Sequence, residues 1–383
     1  MEKQISKNNN YIDYFEIILH LLAVGLNQRQ LDILKVNTLT DKDWDGLFLL
    51  ANKHDIVALL SDVISENPSI SIPVDVRLKI LGMQEIVEQS YHYHLDVLSE
   101  LLAFFSIHKI PTMVIKGLSL SRYYPVPSHR KCGDIDIYQY RQQSLSDYII
   151  SQTFELAIKN TTAGHHTNYQ YRNISIENHY QLITTYHGGV TLELEALLEK
   201  EASNAKEYEV NQQKVRYPSP TFNAIYLPYH MAVHFRSEKV TMRQVLDWMM
   251  FLKKEYENVD WLQVHEVYHR YNLSTFVNAI NGVLIHYFGM SESQAYHYKK
   301  DERMEFRLLN DIIRVNGDYK EGIINRINHL WFKYIKSGWK FKLFKRNGCI
   351  TLFKKGFNFL FHHNDYVEKE INVSKFKCGN FIE

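Results

Sequence analysis

The chain has 383 residues, 45% of them apolar and 13% aromatic, which is enough to build the packed cores of two or three domains. Its formal charge of +1 gives no global signal for a polyanion partner, no run approaches the roughly 18 apolar residues of a membrane span, and the N-terminal stretch lacks a signal-like apolar region, so a cytoplasmic location is expected. Cys132, Cys349 and Cys378 lie far apart, which argues against a disulfide framework and a Cys-based zinc site.

Residues 1–107 read as an all-helical region. Ile12 to Leu26 is apolar at helical spacing, Thr40 and Asp43 form a capping-box pattern, and Val74 to Phe105 reads as one or two long helices. The period changes at Pro111, where a β-branched run ends in Lys116-Gly117, the pattern of a buried strand entering a turn. A short helix is expected over Ser119 to Tyr124, a strand over Asp134 to Tyr138 and a helix over Ser144 to Ile158. Thr167 to Arg172, Ile174 to Tyr180 and Val190 to Leu194 alternate like strands, with Asn173 and Gly188-Gly189 as turns. Helical periodicity returns in Thr221 to Phe235, Thr241 to Tyr256, Trp261 to Tyr271, Ser274 to Tyr287 and Ser291 to Val315. The expected architecture is α+β: a small mixed sheet core over 108–215 flanked by helical regions 1–107 and 216–325, then a basic aromatic tail, 326–383.

On a strand, Asp134 and Asp136 share one face while Ile135 and Ile137 enter a core. Two carboxylates so close call for water, a basic group or a cation, and a divalent metal is one natural compensator. The plainer alternative is the solvent-facing edge of an amphipathic strand. Thr191-Leu-Glu-Leu-Glu195 repeats the arrangement, with Glu193 and Glu195 on one face. If the two strands are neighbours, Asp134, Asp136 and Glu193 can converge on a pair of divalent ions of the kind that activate an attacking oxygen and stabilise a leaving phosphate. Lys116-Gly117 ends a strand just before the helix of Ser119, where backbone amides favour an anion and glycine allows close approach. Arg130 suits bidentate phosphate binding, with Lys131 beside it.

The span from Ile115 to Ile137, carrying Lys116-Gly117, Arg130 and Asp134-Ile-Asp136, resembles the Lys-Gly, then Arg-x-x-x-Asp-hydrophobic-Asp pattern of an uncharacterised bacterial nucleotidyltransferase family in the polymerase-β-like superfamily. Glu193-Leu-Glu195 falls where that family carries its third acid strand, usually as an acid, an apolar residue and a histidine. His230-x-x-x-His234 and Arg243 to Asp247 look like its helical C-terminal signature, and the likeness spans roughly residues 40 to 290. The resemblance implies Asp134 and Asp136 as metal ligands, Glu193 as the third carboxylate with Glu195 as the other candidate, Gly117 in the phosphate-binding turn and Arg243 at the site; Lys116, Ser119 and Arg130 complete the expected nucleotide contacts. It departs from the superfamily's usual Gly-Ser turn, and Glu195 replaces the common histidine.

What the resemblance implies is a metal-dependent transfer of NMP from an NTP to an acceptor with release of pyrophosphate, using two Mg²⁺ ions or Mn²⁺ in their place. The acceptor is a protein, a small molecule or a sugar; no specific nucleic acid is expected. The alternative of another class is a non-catalytic nucleotide- or partner-binding scaffold on the same fold. His230 and His234 stand one helical turn apart, a zinc-compatible spacing that lacks a third ligand. Arg243 and Asp247 can equally be an ordinary i,i+4 pair. His165, His166 and His179 fall in the β region and can line the cleft, although among 19 histidines such placements are expected by chance. Residues 331–361, rich in lysine and aromatics and free of acids, can pack on the helical domain, meet an anionic membrane surface peripherally, or track nucleic acid.

Overall fold

The computed structural model of the chain describes residues 2–27, 29–161, 164–183, 189–237, 240–313, 338–344 and 368–370. They fall into two compact units, the first drawn from Met1–Gln89, Tyr123–Lys131 and Leu227–Leu352, the second from Ser90–Arg122, Cys132–Tyr226 and Phe353–Glu383.

Helices α1 (Glu2–Asn27), α2 (Ile33–Asn37), α3 (Asp41–Lys53) and α4 (Val57–Glu66) lead into the long α5 (Val74–Ile107), whose first half belongs to the first unit. The capping box expected at Thr40 forms, Asp43 N donating to the Thr40 hydroxyl and Thr40 N to the Asp43 carboxylate. Helix α1 buries Phe15, Ile18, Leu21 and Leu22 and packs on α3 and α4. Gly25 permits that approach, since a Cβ there would sit 2.3 Å from a Val63 methyl.

In the second unit come β1 (Met113–Ile115), α6 (Gly117–Ser121), β2 (Asp134–Tyr138), α7 (Gln143–Phe154), β3 (Lys159–Thr161), β4 (His166–Tyr171), β5 (Ile174–His179), α8 (Gly189–Ala202), β6 (Lys206–Val210) and β7 (Gln213–Tyr217). Helices α9 (Pro220–Ser237), α10 (Met242–Glu255), α11 (Trp261–Arg270), α12 (Ser274–Phe288) and α13 (Glu302–Ile313) follow, and most of them return to the first unit; β8 (Glu368–Glu370) closes the described chain. In the first unit, α10 and α12 bury Trp248, Phe251, Phe276, Ile280 and Leu284. No helix among the described residues is long and apolar enough to cross a membrane.

The strands form one mixed sheet in the order β6-β7-β1-β2-β5-β4-β3-β8. Strand β2 runs antiparallel to β1 and parallel to β5, and β4 pairs antiparallel with β5. The fold is thus α+β. The hairpin turns at Arg172-Asn173 and Asn211-Gln212 have positive φ at both residues, the twist that closes a two-residue hairpin. One face of the sheet is apolar: Val114, Ile135, Ile137, Ile174 and Ile176 pack with Leu98, Leu101, Leu102 and Phe105 of α5 and Ile150 of α7.

Within that apolar layer lies one buried polar knot. Asp147 accepts from the Thr167 hydroxyl at 2.7 Å, the Asn178 amide at 2.8 Å and Gln143, while Asn178 also donates to Gln139 at 3.0 Å. Burial pushes the Asp147 carboxyl up to about 6 from an ordinary 3.8, against the pull of these hydrogen bonds. A raised folded-state value means that the folded chain keeps a proton that the unfolded chain has released. The stability it contributes is complete below pH ~4 and lost as pH rises through ~6, about 3 kcal/mol in all. Urea denaturation of Asp147→Asn, which mimics the protonated acid, is expected to lose that slope between pH 4 and 7; an unchanged slope would place the titration elsewhere.

Several expectations are corrected. Thr191 to Glu195 is not a strand but the first turns of α8. The helix expected over Ser144 to Ile158 ends at Phe154, where Glu155 takes φ 53°, and the chain enters β3. The helix expected from Ser291 to Val315 is a short 3₁₀ turn at Glu292–Gln294 followed by α13. The basic aromatic segment 331–361 lies outside the described residues except for 338–344. There Phe341 and Phe344 are buried, and Lys340 pairs with Asp311 at 2.5 Å and faces the ring of Phe235.

Candidate active site

The second face of the sheet is polar. Strand alternation puts Asp134 and Asp136 there, opposite Ile135 and Ile137, and the parallel register sets Asp134 beside Ser175 and Asp136 beside Glu177. The same rungs bring His179 level with Tyr138, and β4 adds His166 level with His179. On the other side Ile115 is level with Asp136, so the chain leaves β1 at the acids. Lys116 then turns at φ 56°, ψ −156°, a region that L residues rarely occupy, and Gly117 follows at φ +42°. A side chain at Gly117 would meet that unfavourable φ, whereas the strain at Lys116, of order 1–3 kcal/mol, aims its side chain back across the strand.

The Lys116 ammonium reaches Asp136 Oδ1 at 2.6 Å and His179 Nε2 reaches the same oxygen at 3.0 Å, the acid and the imidazole being almost wholly buried and the lysine largely so. Glu177 lies 3.6 Å from both His179 Nε2 and His166 Nε2. These charges set the protonation states. Burial alone would neutralise Lys116, but Asp136, assisted by Tyr226, Glu177 and Asp134, holds its ammonium well above the ordinary lysine range. His179 is likewise raised, burial being overcome by Asp136 and Glu177. Burial opposes ionisation of Glu177, yet His179, Lys116 and His166 bring it down to about 2. His166 is lowered, chiefly by burial. At neutral pH Glu177 is therefore a carboxylate and Lys116 an ammonium.

Not every residue marked in the sequence comes to this face. Glu193 sits exposed on α8, and Glu195 is buried, its two oxygens accepting from the backbone N–H groups of Leu182 and Ile183 at 2.8 and 2.9 Å. Glu195 thus ties down the chain after β5, and burial raises its pKa. The carboxylate beside Asp136 is Glu177, and Glu193 does not join the acid pair of β2. Ser119 is fully buried and donates to the Lys116 carbonyl at 2.8 Å, bracing the turn. Arg130 is corrected as well: in the first unit its Nε and a terminal nitrogen each meet a different oxygen of buried Asp247 at 2.8 Å. Arg243, also in that unit, pairs not with Asp247 but with Asp55 at 3.4 Å and the Lys131 carbonyl at 3.2 Å. His230 and His234 meet at 3.0 Å through their Nε2 atoms, and no third metal-ligating group joins them among the described residues.

Sequence reading passed over Glu177 and set His179 aside as one histidine among 19. They stand as acid-x-histidine at the end of an expected strand, the order sought at 193–195 but with Asn178 in the apolar position.

One donor atom from each of Asp136, Glu177 and His179 lies within 4.8 Å of the others. Two carboxylates and an imidazole suit a divalent cation, and the ammonium of Lys116 resting on Asp136 shows that this spot is built to take positive charge. The two carboxylates of this set suit a divalent metal that prefers oxygen, such as Mg²⁺ or Mn²⁺.

The profile of a family described as "Uncharacterised nucleotidyltransferase" matches residues 40–289. No curated protein matches the chain. Among solved structures, the crystal structure of an antigenic nucleotidyltransferase-like protein from Paracoccidioides brasiliensis is similar over 42% of this chain and 75% of its own, at 14% identity and a TM-score of 0.29.

Proposed function

The chain belongs to the family of uncharacterised nucleotidyltransferases, and from that premise we propose that it transfers NMP from a nucleoside triphosphate to an acceptor oxygen with release of pyrophosphate. The observation that carries this is the register of β2 and β5, which sets Asp134, Asp136 and Glu177 on one polar face beside a lysine-glycine turn. Magnesium or manganese, held by Asp136 and Glu177 with Asp134, would supply positive charge to the triphosphate and its leaving group. Lys116, charged at neutral pH, is placed to exchange Asp136 for phosphate oxygens. His179 keeps Asp136 oriented through its 3.0 Å contact. In the transfer the acceptor oxygen bonds to the α-phosphorus as the bond from that phosphorus to pyrophosphate breaks. A protein, a small molecule or a sugar can offer such an oxygen.

A second reading, a non-catalytic nucleotide-binding scaffold, has one observation in its favour: the Lys116 ammonium already neutralises Asp136. The test is calorimetric titration with each of the four ribonucleoside triphosphates, with and without Mg²⁺. Magnesium-dependent binding is expected, lost in Glu177→Gln and kept in Glu193→Gln. Binding that survives Glu177→Gln would overturn the site. Binding without turnover on any class of acceptor would favour the scaffold.

A further inference from the structure

Beside the carboxylates lies a second constellation. The rings of His165, His166 and His179 form a nearly equilateral triangle, with centroids 4.9, 5.0 and 5.1 Å apart. One ring nitrogen from each lies within 4.8 Å of one from the others. Three imidazoles arranged tetrahedrally about one ion at a metal–nitrogen distance of ~2.0–2.1 Å would have centroids roughly 5 Å apart. The triangle thus has the size of a three-histidine site, and small ring rotations close the nitrogens.

Two further observations point the same way. The Nδ1 atoms of His166 and His179 are buried with no hydrogen-bond partner, so each ring holds a nitrogen in reserve. Their Nε2 atoms face carboxylates instead, Glu177 at 3.6 Å for both and Asp136 at 3.0 Å for His179. A metal-ligating histidine characteristically gives its other nitrogen to a carboxylate, which fixes the ring and strengthens it as a donor. The negative charges of Asp136 and Glu177 also offset the nearby ammonium of Lys116 that a cation would otherwise feel.

We propose that His165, His166 and His179 form a binding site for a borderline transition cation of the zinc or cobalt class, distinct from the magnesium position at Asp134, Asp136 and Glu177 and joined to it through the contact of His179 with Asp136. Imidazole donors favour such ions, whereas magnesium prefers oxygen. The inference stands on the imidazole geometry and does not rest on nucleotide transfer. With the ion bound, β4 and the loop before it are tied to β5, and His179 becomes a fixed neutral donor beside Asp136.

Cobalt is the probe. Titrating the metal-depleted full-length protein with Co²⁺ is expected to give the visible absorption bands of a four-coordinate site, saturating at one ion and abolished by stoichiometric Zn²⁺. Excess Mg²⁺ is expected to leave the bands in place. His165→Asn and His166→Asn, checked for folding by circular dichroism, are each expected to weaken cobalt binding by at least about 10- to 100-fold, and the double variant His230→Asn/His234→Asn to leave it unchanged. Zinc K-edge absorption on the unmutated protein gives a readout that needs no variant, with scattering from three imidazoles expected. Absent bands, bands that survive loss of His165 and His166, or bands lost with His230 and His234 would each overturn the proposal.

Discussion

Asp136→Asn is expected to abolish magnesium-dependent nucleotide binding and, at the same time, to destabilise the fold by about 3 to 5 kcal/mol. The two effects have one origin. Asp136, its side chain 3% exposed, is the counter-charge for both the Lys116 ammonium and His179. Its loss leaves a buried cation facing an amide, and desolvation that the ion pair had offset is then uncompensated. Lys116→Met removes that cation, so the double variant Asp136→Asn/Lys116→Met is expected to regain part of the stability and none of the binding. Urea denaturation of the four proteins closes the cycle. A stable Asp136→Asn single variant would mean that the pair does not form.

The second large effect is expected at Asp247. This buried carboxylate takes both arms of the Arg130 fork at 2.8 Å and the Tyr124 hydroxyl at 2.8 Å. Asp247→Asn leaves a buried guanidinium with an amide and is expected to cost about 3 to 5 kcal/mol. Arg130→Lys should not preserve the stability, because an ammonium cannot match the two-pronged geometry. Thermal denaturation of both variants decides the role of Arg130. A phosphate-binding arginine would lose nucleotide affinity on change to lysine while the melting temperature held. The internal fork predicts a lowered melting temperature.

The acid pair of β2 was legible because Asp-Ile-Asp-Ile-Tyr alternates over the whole of a five-residue strand. The same criterion failed at Thr191-Leu-Glu-Leu-Glu, since two apolar residues in five fit either period. Extending the window through the helix shows Thr191, Leu194, Glu195, Leu198 and Ala202 buried, a spacing of three and four that only a helix produces. Glu177, the carboxylate level with Asp136, was hidden by Asn178. An apolar residue is the usual occupant between acid and histidine, but here a fully buried asparagine takes the position, its amide donating to Asp147 and Gln139. Such a residue is acceptable only because residues distant in sequence satisfy it. Strand β6 escaped for the opposite reason: Lys-Glu-Tyr-Glu-Val at the sheet edge is almost wholly exposed and has no core face to give it a pattern.

Strands β2 and β5 are fourth and fifth of eight, so each has a hydrogen-bonded neighbour on both sides. Amides in such positions exchange with solvent only through the largest openings of a fold. The backbone carrying Asp134, Asp136 and Glu177 therefore belongs to the slowest-breathing part of its unit. The adaptable parts are side-chain torsions, above all the long Lys116 chain on its turn and the half-buried rings of His165 and His166. Ligands then meet a fixed array of negative charge, and the timescale of their capture is that of rotamer hops, not of strand movement.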